Sequence, residues 1–241
     1  MDLKEEGLIA GPLERHWYYA SKFAALKRII ADSSTSYGRP YSVLDVGAGS
    51  GFFSRQLLRA GLCGHAVCVD PGYESERDEV ESGRSLAFRR EVTTSDSNLV
   101  LMMDVLEHVP DDVALVDLYR SKVAPRTAFV VTVPAFQFLW SGHDVFLEHY
   151  RRYTLRGIEA VLRRAGLVVE RGCYVFGFLF PAVTVMRFGQ RLLPARPARS
   201  AMGEPALPIS ALLKTIMAIE RPVMLHNRLA GVTAVVRARV P

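Results

Sequence analysis

Short apolar runs alternate along the chain with longer stretches in which apolar residues recur every three or four positions. Apolar runs bounded by turn residues indicate strands, and the longer spacing indicates helices. The pattern predicts strands at 41–46, 66–70, 86–92, 98–103, 127–133, 167–173 and 231–239. It predicts helices at 14–31, 52–60, 111–122 and 154–165. We therefore expect an α/β fold, a doubly wound and mostly parallel sheet of seven strands with helices on both faces.

The segment 174–230 departs from this alternation, and we expect it to form an apolar helical insertion before the last strand. It begins in a run from Cys173 to Met186 that carries no charge. Arginines follow this run, at positions 187, 191, 196 and 199. A second apolar helix is expected at 209–229, after an irregular connection at 194–208 that contains four prolines.

Two interpretations of this insertion stay open. Crossing a bilayer takes about 20 apolar residues, and the uncharged run is shorter and interrupted by Pro181, so we do not expect a spanning helix. The insertion could cap a substrate pocket, which we favour. Alternatively, residues 173–199 could lie on a membrane surface with their arginines toward anionic headgroups. Either arrangement fits a substrate with a bulky apolar portion.

The first predicted strand ends in the sequence DVGAGSGFF, which contains Gly47, Gly49 and Gly51. Nineteen positions past Gly51, the second strand ends at Asp70. Glycines let a backbone approach a ligand closely, and the N–H groups of a helix N-terminus can bind an anion. A carboxylate at a strand end can accept hydrogen bonds from ribose hydroxyls. These features together predict a nucleoside cofactor site at the carboxyl end of a parallel sheet.

The glycine spacing excludes two common nucleotide sites. A dinucleotide fingerprint needs a third glycine three residues after the second, and Phe52 occupies that position. A phosphate-binding P-loop needs a Lys-Ser or Lys-Thr pair, which is missing here. Asp45, just before the first glycine, would repel a phosphate and attract an ammonium or sulfonium group.

The D-x-G-x-G-x-G sequence and the run Val67-Cys68-Val69-Asp70 resemble the first two motifs of class I S-adenosylmethionine (SAM) methyltransferases. The resemblance implies a Rossmann-like fold and SAM as the cofactor. In that family the helix N-terminus would meet the methionine carboxylate, Asp45 the amino-acid end and Asp70 the ribose. The implied SAM site consists of Asp45, Gly47, Ala48, Gly49, Gly51, Asp70, Pro71, Asp104 and Val105.

The run Asp104-Val105-Leu106-Glu107-His108 follows the fourth predicted strand and resembles the fourth motif of the same family. The resemblance places Asp104 at the reaction centre, as a catalytic candidate. One helical turn would bring Asp104, Glu107 and His108 onto one face, where they could hold Mg²⁺. The run is similar to the Glu-x-x-Glu-His element of metal-dependent ubiquinone-pathway and small-RNA 2′-O-methyltransferases, with Asp for the first Glu. Because the Glu-His-Val-Pro run is also widespread in members that use no metal, we assign no metal ligand.

The loop after the fifth strand, residues 133–153, is rich in imidazole, carboxylate and aromatic groups. His143 and His149 are the candidate bases, since imidazole removes protons near neutral pH. Alternatively, these residues anchor the loop through contacts with Asp144 or Glu148. The loop resembles the Gly-His-Tyr-Arg-Arg-Tyr element of a bacterial subgroup, with Glu148 in place of the glycine.

Residues 1–36 are expected to form an N-terminal helical cap. The sequence Glu14-Arg15-His16-Trp17-Tyr18 stands where that subgroup often has a His-Trp-Trp-like helix. The resemblance implies that Trp17 and Tyr18 cover the cofactor and substrate, although aromatic residues at a helix start also serve as plain packing.

Composition narrows the picture further. With 241 residues, of which 49% are hydrophobic, the chain can bury one large core, so we expect a single domain over 1–241. Three scattered cysteines argue against a disulfide framework and for a reducing compartment. The first residues lack the basic-then-apolar layout of a signal peptide. We expect a cytoplasmic protein, with peripheral contact at the inner face of the membrane as a second expectation.

The leading hypothesis is SAM-dependent methyl transfer to an oxygen, nitrogen or sulfur of a small, partly hydrophobic metabolite or lipid-linked intermediate. A nucleic-acid methyltransferase is the first alternative. The net charge of +5 and pI near 9.2 permit it, but the arginines are dispersed and no nucleic-acid partner is expected. A SAM-binding scaffold protein without catalysis is the second alternative.

Overall fold

A computed structural model describes residues 12–31, 40–192, 203 and 205–241, and within them eight strands form one sheet. The strands are β1 Tyr41–Val46, β2 Cys63–Val69, β3 Arg77–Glu81, β4 Arg84–Arg89, β5 Leu99–Met103, β6 Ala128–Pro134, β7 Val168–Val175 and β8 Thr233–Arg239. Their order across the sheet is β3-β4-β2-β1-β5-β6-β8-β7. The five central strands from β4 to β6 are parallel, whereas β3, β7 and β8 pair antiparallel.

The predicted doubly wound, mostly parallel sheet is confirmed, but it has eight strands rather than the expected seven. The missing strand, β3, forms a hairpin with β4 at the sheet edge. Its sequence, RDEVE, is polar and largely exposed, so it lacks the apolar run used to recognise the other strands. Ser82 and Gly83 have φ of +52° and +75° and form the tight turn between the two strands.

Seven α-helices pack around the sheet in the described part of the chain. They are α1 Trp17–Ala31, α2 Phe52–Arg59, α3 Asp112–Arg120, α4 Gly142–Phe146, α5 Leu155–Arg164, α6 Phe180–Arg191 and α7 Leu207–Glu220. Side-chain caps fix two of the helix starts. Asp111 accepts a hydrogen bond from the Ala114 N–H at 2.9 Å, and Thr154 accepts one from the Gly157 N–H at 3.1 Å. The four predicted helices correspond to α1, α2, α3 and α5.

The expected apolar insertion lies between β7 and β8 and contains α6 and α7. Neither of these helices, nor any other described helix, is long and apolar enough to cross a membrane. Parts of the sequence-based expectations lie outside the described residues. These are residues 1–11 and 32–36 of the cap, arginines 196 and 199, and most of the connection at 194–208.

Two apolar layers hold the helices against opposite faces of the sheet. Ile29 of α1 and Leu57 of α2 pack against one face of the sheet. Val116 of α3 and Ile158 of α5 pack against the other face. All four side chains are fully buried, and burying such a side chain contributes about 1.5–3 kcal/mol. This packing fixes the carboxyl ends of β1, β2, β5 and β6 at one edge of the sheet, where ligands bind in open α/β folds.

Candidate functional site

The turn between β1 and α2 is built from three glycines in the left-handed region. Gly47, Gly49 and Gly51 have φ of +63°, +52° and +72°. A Cβ added at Gly47 would lie 2.8 Å from Val105 Cγ2, so the turn packs directly against the segment after β5. The N–H groups of Gly47 and Ala48 donate to the Val69 carbonyl at 2.7 and 3.3 Å. Glycine is therefore required here both for the backbone conformation and for the close approach.

Asp70, at the end of β2, connects the glycine turn to the turn that follows β2. Its carboxylate accepts hydrogen bonds from the Gly49 N–H at 3.1 Å and the Gly72 N–H at 2.9 Å. The Tyr73 hydroxyl donates to the Gly49 carbonyl at 2.7 Å. These bonds hold the carboxylate in the loop cluster where sequence analysis expects a ribose, next to the exposed Pro71.

An open cavity of about 570 Å³, the outer cavity, lies beside these turns. It is lined by Leu13, Glu14, Gly49, Ser50, Phe52, Arg55, Gly72, Tyr73, Glu74, Ser75 and Arg77. Its walls thus contain the backbone of the glycine turn, the residues after Asp70 and the start of α2.

Asp45 lies behind the glycine turn rather than in the outer cavity. Only 2% of the residue is exposed, and its carboxylate accepts a hydrogen bond from the Ser54 hydroxyl at 2.8 Å. Burial raises the pKa of Asp45 to about 6. The carboxyl therefore ties β1 to α2, and its ionisation near neutral pH costs folding free energy.

Replacing Asp45 with Asn should change how stability depends on pH. The pKa of Asp45 is higher in the folded than in the unfolded chain, so its stabilising effect is present below pH 4 and lost as pH rises through about 6. Between pH 4.5 and 7.5, Asp45→Asn should gain about 2 kcal/mol relative to the wild type. Urea unfolding of both proteins at the two pH values measures this difference. If the two proteins differ in their free energy of unfolding by the same amount at both pH values, the pKa of Asp45 is not raised by folding.

The end of β5 carries an ion pair that sequence analysis missed. Asp104 has φ of +57°, and its carboxylate accepts a hydrogen bond from the Thr132 hydroxyl at 2.9 Å. The Lys22 ammonium, on α1 and only 2% exposed, pairs with the other carboxylate oxygen. Burial by itself raises the pKa of Asp104, but Lys22 outweighs it and the net pKa lies below its usual range. The sequence does carry one sign of this ion pair, because Lys22 is a charged residue on the otherwise apolar, buried face of α1.

Asp144 organises the loop that contains the two candidate histidines. It is fully buried, and its carboxylate accepts hydrogen bonds from Arg152 Nε at 2.7 Å and Arg152 Nη2 at 3.0 Å. The same carboxylate contacts His149 Nδ1 at 3.0 Å, and Ser141 donates to it through its N–H and hydroxyl at 2.8 and 3.1 Å. Burial alone would raise the pKa of Asp144, yet the His149 and Arg152 contacts hold it well below its usual range.

The turn before His149 has a left-handed backbone at Glu148. The φ of Glu148 is +56°, in the region that glycine adopts most readily. Glu148 thus adopts a conformation open to glycine at the position where sequence analysis expects one, and the adjacent His149 ring contacts Asp144.

His149 also approaches the segment after β5. One ring nitrogen of His149, one of His108 and a carboxylate oxygen of Glu107 lie within 4.8 Å of one another. Glu107 is fully buried, and no other described residue hydrogen-bonds its carboxylate. Burial and the neighbouring Asp104 charge raise the pKa of Glu107 well above its usual range. The three groups could contact a divalent ion, and they differ from the set expected from sequence because His149 takes the place of Asp104.

His143 lies in α4 and His149 in the turn that follows it, with their ring centroids 6.4 Å apart. Burial lowers the pKa of His143 to about 4. His143 is therefore neutral at physiological pH and a weak proton acceptor. His149, oriented by Asp144, is the better placed of the two for proton transfer.

These groups surround a second cavity of about 200 Å³, the inner cavity. Its polar wall consists of Asp104, Glu107, His108, His143, His149, Arg152 and Arg187. Its apolar wall includes Trp17 and Tyr18 from α1 and Val183 and Met186 from α6. Tyr18 stacks on Phe176, with ring centroids 5.4 Å apart, which connects α1 to the end of β7. The two aromatic residues expected in a lid thus lie in the wall of this cavity.

Comparison with known proteins gives a consistent result. A family model described as a methyltransferase domain matches residues 16–171. The chain is 30% identical over 134 residues to the ubiquinone biosynthesis O-methyltransferase of Hahella chejuensis, covering 48% of this chain and 55% of that protein. It is 29% identical over 152 residues to the protein of the same name from Xylella fastidiosa, covering 53% and 61%. The chain therefore spans less than two thirds of the length of these relatives.

Among solved structures, the fold is similar to that of an S-adenosylmethionine dependent methyltransferase from Mesorhizobium loti. The TM-score is 0.55, and the match covers 92% of this chain and 99% of that one at 13% sequence identity. At this identity the likeness concerns the fold, and it extends over the strands and turns described above.

Proposed function

Since the chain belongs to the methyltransferase family that its residues 16–171 match, we propose that it transfers a methyl group from SAM to an oxygen of a small, partly hydrophobic molecule. The observation that carries this proposal is the contact between Gly47 and Val105. It joins the glycine turn to the segment that begins at Asp104 and lines the inner cavity. A cofactor held at the turn would thus adjoin an acceptor held in that cavity.

The residues of the turn fit SAM. The backbone of Gly47, Gly49 and Gly51 leaves no side chain in the way of a ligand, and the carboxylate of Asp70 stands at the adjoining strand end. When bound, SAM supplies an electrophilic methyl group on a sulfonium centre.

We propose His149 as the group that takes the proton from the acceptor hydroxyl. Asp144 contacts His149 Nδ1, which favours a proton there and leaves Nε2 as the accepting nitrogen. The bidentate bond from Arg152 holds the Asp144 carboxylate ionised and oriented. His149 would therefore accept the proton at a fixed position in the wall of the inner cavity.

The proposed acceptor has a compact reactive group and an apolar remainder. A cavity of about 200 Å³ accommodates a ring-sized group, and its apolar wall from α1 and α6 favours hydrocarbon next to that group. The two relatives from Hahella chejuensis and Xylella fastidiosa are named ubiquinone biosynthesis O-methyltransferases, which supports oxygen as the receiving atom.

This function is tested by measuring how much S-adenosylhomocysteine (SAH), the product left when SAM gives up its methyl group, forms with an alkylated catechol and with unsubstituted catechol. We expect product from both, with kcat/KM at least ~10-fold higher for the alkylated compound because each buried CH₂ contributes about 0.8 kcal/mol. Hydroxyl, amine and thiol acceptors with the same alkyl chain identify the receiving atom. If no acceptor yields SAH although SAH binds, the protein is a SAM-binding scaffold. Methylation of RNA or DNA alone would favour the nucleic-acid alternative.

We further propose that the outer faces of α6 and α7 contact an anionic membrane. Both helices leave large apolar side chains exposed, among them Val185 at 73% and Leu212 at 59%. Arg191 and Lys214 lie on the same two helices and are exposed. An apolar surface with basic residues binds anionic lipid by both burial and charge.

Vesicle flotation should test this membrane contact. The wild type should float with vesicles that contain phosphatidylglycerol and much less with pure phosphatidylcholine. The pair of substitutions Val185→Glu and Leu212→Glu should reduce binding at least ~10-fold, because charge replaces apolar area. Val80→Glu is the matched control, since Val80 is equally exposed, at 77%, on the β3 edge. Equal loss in the control would contradict the assignment to α6 and α7.

A further inference from the structure

The charged groups around the inner cavity do not balance. Two carboxylates at the cavity already have cationic partners within the chain. Asp104, in the wall, pairs with Lys22, and Asp144, which contacts the wall residue His149, pairs with Arg152. The third, Glu107, is fully buried beside Asp104, and this environment favours its protonated, neutral form. One further cation, Arg187, reaches the cavity from α6.

Arg187 has no carboxylate partner among the described residues. Its Nη1 donates to the neutral side chain of Gln190 at 3.0 Å, and its Nε is buried without a hydrogen-bond partner. The carboxylate that interacts electrostatically with Arg187 is Asp144, and this carboxylate is already in contact with Arg152 and His149. An unsatisfied N–H of a buried guanidinium costs free energy unless a ligand supplies an acceptor.

The surroundings of Arg187 add to this cost. Burial and the nearby Arg152 charge lower the pKa of the Arg187 guanidinium, which means that its charged form is poorly solvated where it stands. Val183 and Met186, its neighbours on α6, line the same cavity and place apolar side chains beside it. A guanidinium in such a setting is suited to a planar oxyanion, which it can bind through two N–H groups.

We propose that Arg187 recognises an acidic group, a carboxylate or a phosphate, on the molecule that occupies the inner cavity. This deepens the proposed function and rests on it only in taking that molecule to be the methyl acceptor. The acceptor would then combine a reactive group near His149, an acidic group near Arg187 and an apolar portion along α1 and α6. Arg187 serves as a specificity residue that orients the acceptor, whereas the pairing of Arg152 with Asp144 leaves Arg152 in a supporting role.

Calorimetry with three matched probes tests this proposal without any turnover. The probes are 4-octylbenzoate, 4-octylphenyl phosphate and the neutral 4-octylbenzamide, each titrated at pH 7.5 into the full chain with and without SAH. We expect the wild type to bind at least one acidic probe at least ~10-fold more tightly than the amide. In Arg187→Met this preference should disappear while affinity for the amide changes less than ~2-fold. Arg187→Lys should retain part of it.

Arg191→Met is the control, since Arg191 lies on the same helix, is exposed and donates to the Phe138 carbonyl at 2.6 Å. It should leave the preference unchanged. Lack of preference in the wild type, or equal weakening of all three probes in Arg187→Met, would overturn the proposal. So would a loss of SAH affinity in Arg187→Met with unchanged probe binding, which would assign Arg187 to the cofactor. Because the probes are also titrated without SAH, a failure of SAH binding would contradict the proposed function and leave this test intact.

Discussion

In the Gly49→Val variant, affinity for SAH falls at least ~100-fold while the fold is retained. Gly49 has φ of +52°, and a β-branched residue in the left-handed region costs about 1–3 kcal/mol. Its N–H also donates to Asp70, so a shift of this backbone moves the proposed ribose ligand. The side chain would add bulk where the backbone has to approach the nucleoside. Calorimetric titration with SAH measures the loss, and circular dichroism checks the fold.

Gly83→Val separates backbone strain from cofactor binding. Gly83 has φ of +75° in the β3–β4 turn, and a Cβ there would have no atom within 4 Å. This variant should lose about as much stability as Gly49→Val but bind SAH as the wild type does. Wild-type SAH affinity in Gly49→Val would remove the glycine turn from the cofactor site.

The His149→Gln substitution should lower kcat by ~10²–10⁴-fold, the usual contribution of a general base, with less than ~3-fold change in SAH affinity. Glutamine keeps a polar group near Asp144 but cannot accept the proton of the acceptor hydroxyl. Initial rates with the alkylated catechol measure the loss in kcat, and calorimetric titration with SAH measures its affinity.

His143→Gln provides the comparison for this variant. Burial keeps the pKa of His143 near 4, so the substitution should lower kcat much less than His149→Gln does. If instead His143→Gln abolishes turnover and His149→Gln does not, the two roles are reversed. If neither does, both histidines only anchor the loop.

The parts of the site that sequence analysis predicted are local in the chain. The glycine turn, the strand-end Asp70 and the position of Asp104 each follow from a short motif whose backbone conformation is fixed by its own residues. The alternation of apolar residues also predicted the strand at 231–239, which corresponds to β8.

The parts that were missed depend on contacts between distant elements. Lys22 and Asp104 are 82 positions apart, and only the packing of α1 across the sheet brings them together. The contact of Asp144 with His149 was one of the alternatives expected from sequence, but the burial of both side chains in the folded chain was not. The position of Arg187 in the wall of the inner cavity depends on where α6 lies relative to distant parts of the chain. Tertiary packing decides all three cases, and no local pattern records it.

A crystal structure of the protein with SAH bound is the most direct test of this assignment. We predict the nucleoside against the turn from Gly47 to Gly51, with its ribose hydroxyls donating to Asp70 and its sulfur toward Asp104 and the inner cavity. SAH located elsewhere, or a turn that faces solvent while the ligand is bound, would contradict the assignment of this site.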